Sequence, residues 1–221
     1  LASDVGLTVK GDKLPYVSRG GLKLEKAIAA FGLTFEGKTC MDVGSSTGGF
    51  TDCMLQKGAQ KVYAGDVGYG LLDWKLRNDP RVVVMERTNA RLLNPEMTDG
   101  ERMDFASMDV SFISIRTVLP AVRTCMKENA HLAVLVKPQF EARREQVGKG
   151  GIVRDPKVHR EVLETVIAAM PAIGLMPQGL TVSPIKGVGG NTEFLLHLTN
   201  TELNDAAFQA ERAIEDVLRF V

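Results

Sequence analysis

Thr39-Cys40-Met41-Asp42-Val43-Gly44-Ser45-Ser46-Thr47-Gly48-Gly49-Phe50-Thr51-Asp52 begins as a short apolar run, ends that run near an acid, and passes through a glycine-rich turn into a polar helix start. Strand, tight turn and helix in that order make a nucleotide-type pocket. Glycine lets the backbone adopt positive φ and approach a ligand closely. The first N–H groups of the new helix then attract negative charge. Asp42, Gly44, Ser45, Ser46, Thr47, Gly48, Gly49 and Phe50 are the candidate ligand-contacting residues here, with Asp42 also able to hold the turn through its amides.

The flanking sequence supplies the context such a pocket needs. Apolar runs at 61–64, 82–85, 104–108 and 131–136 read as strands, the last a continuous run suited to the middle of a parallel sheet. Helical spacing predicts helices over 51–57, 71–77, 115–126, 156–170 and 203–220, and one capped by Ser18 and stopped by Gly32. Residues 175–183 and 193–198 read as two final strands joined by a short glycine-rich loop. A loop that short forces an antiparallel pair, because a parallel crossover needs about a dozen residues or more. The expected fold is therefore α/β and Rossmann-like, a mostly parallel sheet with helices on both faces and one antiparallel strand, the last. Methyltransferases that use S-adenosylmethionine have that ending, whereas dinucleotide dehydrogenases are typically wholly parallel.

Asp66 ends the second strand about 20 residues after the turn, where a carboxylate accepts hydrogen bonds from ribose hydroxyls. The same residue could simply cap a helix. Asn89, after the third strand, would lie on the adenine side or serve as a plain turn residue. Gly32-Leu33-Thr34-Phe35-Glu36-Gly37-Lys38-Thr39 matches a phosphate-binding loop letter for letter, but it follows a helix and precedes a strand. With that reversed context it reads as a chance match.

In an open α/β sheet, ligands sit beyond the carboxyl ends of the parallel strands. The fourth strand runs into Asp109 and the fifth into Lys137, while the antiparallel strand starts at that edge with Glu193. Lys23, one turn into the first helix, can join them. A lysine at its reference pKa of about 10.4 is mostly protonated and is no base. Burial and a second amine act against the proton; carboxylates act for it. Such a dispersed Lys, Asp, Lys, Glu set suits transfer to a sugar hydroxyl, where alignment carries most of the catalysis.

Composition narrows the field. The 221 residues carry 27 Lys plus Arg against 27 Asp plus Glu, so any nucleic-acid role rests on a local patch. There is no run long enough to span a membrane and no signal-peptide core at the start, and the terminal helix is acidic. Cys40, Cys53 and Cys125 are scattered, as are the three histidines. Buried thiols in a reducing cytoplasm and no structural metal are expected.

These residues resemble the TlyA (haemolysin A) family of ribosomal RNA methyltransferases, whose catalytic domain is similar to the FtsJ (RrmJ) 2′-O-methyltransferases. The resemblance runs from about Tyr16 to Thr199. Val17-Ser18-Arg19-Gly20-Gly21-Leu22-Lys23-Leu24, residues 42–50 and Asp66-Val67-Gly68-Tyr69-Gly70 carry it most specifically. Asp109-Val110-Ser111-Phe112-Ile113-Ser114, Val136-Lys137-Pro138-Gln139-Phe140-Glu141 and Gly189-Gly190-Asn191-Thr192-Glu193 add to it. It implies a catalytic tetrad of Lys23, Asp109, Lys137 and Glu193, with Asp109 also near the donor. It further implies S-adenosyl-L-methionine as cofactor and cytidine 2′-hydroxyls of ribosomal RNA, naked or in subunits, as acceptor. Thr47 stands where the FtsJ loop usually has Pro. Residues 1–15 are expected to be a lead-in and 16–221 the methyltransferase domain. Family members begin with a small S4-like RNA-binding domain, and none of these residues reads as one. Either the sequence is a piece of a longer protein or RNA affinity comes from its own surface. Arg19, Arg143, Arg144, Lys149 and Arg154 are the candidates for phosphate contacts, around a glycine-containing segment, 148–151, expected to be mobile. The competing readings are a membrane-active haemolysin and a nicotinamide-dependent oxidoreductase.

Overall fold

A computed structural model describes residues 14–201 and 208–221. In chain order the elements are α1 (Gly20–Phe31), β1 (Thr39–Val43), α2 (Gly49–Gln56), β2 (Lys61–Gly65), α3 (Trp74–Arg77), β3 (Val82–Met85) and β4 (Met103–Met108). Then come α4 (Ile115–Thr124), β5 (Met126–Val136), α5 (Pro138–Glu141), α6 (Pro156–Ile173), β6 (Met176–Val182), β7 (Phe194–Thr199) and α7 (Ala210–Leu218). The strands form one sheet in the order β3-β2-β1-β4-β5-β7-β6. Pairs among β1 to β5 are parallel, and β7 lies antiparallel to both β5 and β6. The short 183–193 connection does return the chain antiparallel, as loop length requires.

Burial on both faces explains why β5 is apolar from Leu132 to Val136. Leu132, Val134 and Val136 face a core built with Leu119, Val122, Leu163, Val166, Ile214 and Val217 of α4, α6 and α7. Ala133 and Leu135 face the other core, with Leu24, Ala27, Phe50, Cys53 and Met54 of α1 and α2. Successive strand side chains point to opposite faces, so a strand covered on both must be apolar at every position. Truncating fully buried Leu135 or Leu163 to Ala would cost about 2–5 kcal/mol.

Several boundaries differ from the sequence expectation, each for a local reason. The helix expected to reach Met126 stops at Thr124, because Met126 pairs with Met103 and opens β5. The outlying part of β5 carries exposed Lys127, Glu128 and Asn129, which hide it from an apolar pattern. The helix expected over 71–77 shortens to α3, where the Asp73 carboxylate accepts from Lys75 N; Leu71 instead walls a cleft. Ser18 does not cap α1 with its side chain; Arg19 occupies the cap position, and the Ser18 carbonyl accepts from Gly21 N. α6 runs on to Ile173, ended by left-handed Gly174. The 202–207 part of the expected terminal helix, and most of the expected 1–15 lead-in, lie outside the described residues.

Candidate active site

The turn after β1 is a backbone structure. Gly44 N and Ser45 N both donate to the Gly65 carbonyl, at 2.8 and 3.0 Å. Gly44 has φ +82°, and a Cβ there would stand 2.4 Å from the Asp109 carbonyl oxygen. Gly48, at φ +98°, lies under Leu72 and Leu76 with no room for a side chain. Asp42 is 1% exposed and sits beneath the turn. It accepts from Thr51 N (3.0 Å), Thr51 Oγ1 (2.7 Å) and Ser107 Oγ (3.1 Å), so it fixes the start of α2. Burial pushes its carboxyl up to about 6 against those hydrogen bonds.

Two clefts open from this turn at the carboxyl edge of the sheet. The first, of 650 Å³, is mostly apolar, walled by Met41, Leu71, Met85, Leu93, Val110 and Ile113, with Asp66 and Asn89 at its polar side. Asp66 Oδ2 accepts from Ser46 N (2.8 Å) and Oδ1 from Gly68 N (2.7 Å). Each carboxylate oxygen keeps lone-pair capacity for a second donor. Asn89 Oδ1 accepts from Arg91 N at 3.1 Å, so this residue both caps a short turn and lines the cleft. Size and lining suit an adenosine-sized ligand.

The second cleft, of 550 Å³, shares Gly44, Ser46, Asp109 and Ser111 with the first, and Ser45, Thr47, Gly49 and Phe50 also line it. Gly48 lines neither. Lys23, Asp109, Lys137 and Glu193 meet there. Lys23 Nζ is 3.3 Å from Asp109 Oδ2 and 2.8 Å from Glu193 Oε2; Lys137 Nζ is 2.5 Å from Asp109 Oδ1 and donates to Ser111 Oγ at 2.9 Å. Both lysine side chains are 10% exposed. Burial works against the Lys23 charge, but the Asp109 and Glu193 carboxylates outweigh it and hold the amine above the ordinary lysine range. Lys23 is thus a fixed cation between two acids.

Sequence reasoning missed Ser111, Phe112 and Lys186. Ser111 and Lys186 line the second cleft. Phe112 is 90% exposed at φ +64°, its ring 5.1 Å from that of Phe140. An aromatic residue between Ser111 and Ile113, just beyond the end of the fourth strand, was the available signal. Among the residues expected to touch RNA, Arg19 lines the cleft. Arg143, Arg144, Lys149 and Arg154 are exposed elsewhere, and Arg143 pairs with Glu161 at 3.1 Å. The 148–151 segment is tied down: Gly148 bridges to Ile152, and Asn191 Nδ2 donates to the Gly151 carbonyl. The 32–39 stretch joins α1 to β1, helix before strand, which is the reverse of a phosphate-binding loop. No helix of the described residues is long and apolar enough to cross a membrane.

The chain is similar to known proteins over most of its length. The family described as FtsJ-like methyltransferase matches residues 16–200. YqxC of Bacillus subtilis, which carries a provisional rRNA methyltransferase name, is 58% identical over 195 residues, covering 88% of this chain and 69% of the relative. The 16S/23S rRNA (cytidine-2′-O)-methyltransferase TlyA of Mycobacterium tuberculosis is 45% identical over 219 residues, 99% of this chain and 80% of the relative. A solved structure from Streptococcus thermophilus that carries the hemolysin name superposes with TM-score 0.89 at 50% identity, covering 95% of this chain and 77% of that one. The oxidoreductase reading is set aside on these matches, and the antiparallel β7 agrees with them. The chain belongs to the FtsJ-like methyltransferase family.

Proposed function

We propose that this methyltransferase carries a methyl group from S-adenosyl-L-methionine to the ribose 2′-hydroxyl of cytidine in ribosomal RNA. The observation that carries the reading is the meeting of two buried lysines on Asp109, whose own carbonyl presses on the donor turn. The relatives named for cytidine-2′-O methylation of rRNA support the acceptor. The donor fits the residues present: a glycine cradle with no space for Cβ, a carboxylate at the ribose position and an apolar adenine-sized cleft beside Asn89.

Held by the 44–49 turn, Asp66 and Asn89, S-adenosylmethionine would supply a methyl group on a sulfonium sulfur, with the sulfur as leaving group. The protein does the rest. Asp66, oriented by Ser46 N, would accept from the donor's ribose hydroxyls, and the 44–49 turn would set the donor against Asp109. Lys137, in its neutral form, takes the hydroxyl proton as the oxygen attacks. Lys23 and Glu193 hold Asp109 in place, and Asp109 with Ser111 aims the Lys137 amine. Phe112 offers an exposed ring to a nucleobase at the mouth. Arg19 at the cleft, and Arg143, Arg144, Lys149 and Arg154 beyond it, contact phosphates. A cytoplasmic location accompanies a ribosomal substrate.

Mass mapping of 2′-O-methylated nucleotides in ribosomal RNA, incubated with and without the protein, tests the reading. New 2′-O-methylcytidine is expected; methylation on a base or on another sugar position overturns it. Liposome leakage that persists in Lys137→Ala protein would favour the haemolysin reading instead.

A further inference from the structure

The segment after β5 is fastened to the segment after β4 at two ends, and the tetrad accounts for one of them. At the catalytic end Lys137 grips Asp109 and Ser111. At the other end Glu141, one short helical turn later, is buried with its side chain 2% exposed. Its Oε1 accepts from Ile115 N at 2.7 Å and its Oε2 from Ser114 Oγ at 2.7 Å. Ser114 Oγ in turn accepts from Arg116 N at 3.2 Å, and Arg116 Nε lies 3.5 Å from the same carboxylate. Glu141 therefore caps the first turn of α4 from a different segment of the chain, satisfying an N–H that the helix itself leaves free.

What lies between the two fastenings needs holding. Residues 109–114 contain Phe112 in the left-handed region, a conformation that costs a non-glycine residue about 1–2 kcal/mol. That short run also carries Asp109 and Ser111, the two partners of the Lys137 amine. Across the gap the Phe112 ring rests on Phe140, the neighbour of Glu141. A strained loop keeps one conformation only where its surroundings over-determine it.

We propose that Glu141 is a positioning residue for methyl transfer: by clasping Ser114 and Ile115 it holds the strained 109–114 loop so that Asp109, Ser111 and Phe112 stay in register with Lys137. It touches neither donor nor acceptor and acts through the loop. The inference rests on the methyltransferase reading above. A buried carboxylate kept only for helix stability would cost stability when lost; one kept for register costs turnover beyond that.

The experiment measures kcat, RNA KM and thermal midpoint for Glu141→Ala, Glu141→Gln, Phe112→Ala and the Glu141→Ala/Phe112→Ala double variant, with Lys137→Ala as control. Under saturating donor and at a temperature where each is folded, Glu141→Ala should lose about 10–100-fold in kcat. Glu141→Gln, which can still accept from Ile115 N and bond Ser114, should stay within about threefold of wild type. The double variant should lose less than the product of the single losses, since both act through one loop. A Glu141→Ala enzyme with wild-type kcat, or losses that simply multiply, would overturn the proposal. If Glu141→Ala does not fold, Ser114→Ala tests the same clasp: a kcat drop of several-fold supports the proposal, an unchanged kcat refutes it. Two controls separate the levels. No methyl transfer by wild type sinks the methyltransferase reading and full activity in Lys137→Ala sinks the Lys137 assignment, whereas an inactive Lys137→Ala beside a fully active Glu141→Ala sinks only the clasp.

Discussion

Gly44 and Asp109 are in backbone contact: the space where a Gly44 Cβ would stand is 2.4 Å from the Asp109 carbonyl oxygen. Asp109 N also donates to the Val43 carbonyl at 3.0 Å. The 44–49 turn and Asp109 are thus one rigid unit, and neither can shift alone. Gly44→Ala forces that unit apart and adds the positive-φ penalty of about 1–2 kcal/mol. It should lower the thermal midpoint and cost at least 100-fold in methyl transfer, with S-adenosylmethionine affinity falling alongside. Calorimetric titration together with a methylation assay reads both; intact donor binding would show that the contact is not needed.

Lys137→Ala should abolish methyl transfer to ribosomal subunits while donor affinity stays within about threefold. The amine is held by Asp109 and Ser111 at the shared edge of the two clefts, and the apolar cleft does not depend on it. Activity above about 1% of wild type would rule it out as the proton acceptor.

Asp66→Ala should do the reverse. Loss of charged hydrogen bonds to a ribose is worth about 1.5–3 kcal/mol, or 10–100-fold in donor affinity. Turnover at saturating donor should change little. The mutation also removes the bonds from Ser46 N and Gly68 N, so circular dichroism should accompany the titration. Unchanged donor affinity would take Asp66 out of the pocket.

Acid stability should depend on His197. Its ring is 7% exposed and stacks on both Phe31 and His131, with Nε2 3.0 Å from His131 Nδ1. Burial first, and the neighbouring His131 second, push its pKa down to about 4. A depressed base contributes stability that is present above its ordinary value of 6.5 and is lost as pH falls through about 4. The loss amounts to at most about 3 kcal/mol. Asp42 acts with the opposite sign: its raised carboxyl contributes stability present below 3.8 and lost as pH rises through about 6. Urea unfolding of wild type and His197→Gln at pH 7.5 and pH 4.5 isolates the histidine. Wild type should lose more stability between the two than the variant; equal losses would refute the assignment.

Phosphate contacts have their own signature. Arg144→Ala and Lys149→Ala should each weaken RNA binding evenly across sequences and reduce the salt slope by about one. Arg143→Ala should do less, because Glu161 already holds that guanidinium. Binding isotherms at several salt concentrations give the slopes; an unchanged slope removes a residue from the interface.

Much of this could be read from the residues in order. Strand positions, the antiparallel turn at β7 and the glycine-turn pocket follow from local patterns: apolar runs, loop length and backbone freedom. Asp109, Lys137 and Glu193 sit at strand ends, where topology makes the carboxyl edge of the sheet a candidate ligand site, while Lys23 comes from α1. Tertiary structure decided what each polar group actually meets. Only folding brings Lys23 between Asp109 and Glu193, lays Asp42 under the turn, and seats Glu141 on the first amide of α4. The physical reason is range. Periodicity and turn chemistry act over a few neighbouring residues, whereas the Lys23–Glu193 pair spans 170 positions and exists only once the sheet has closed around it.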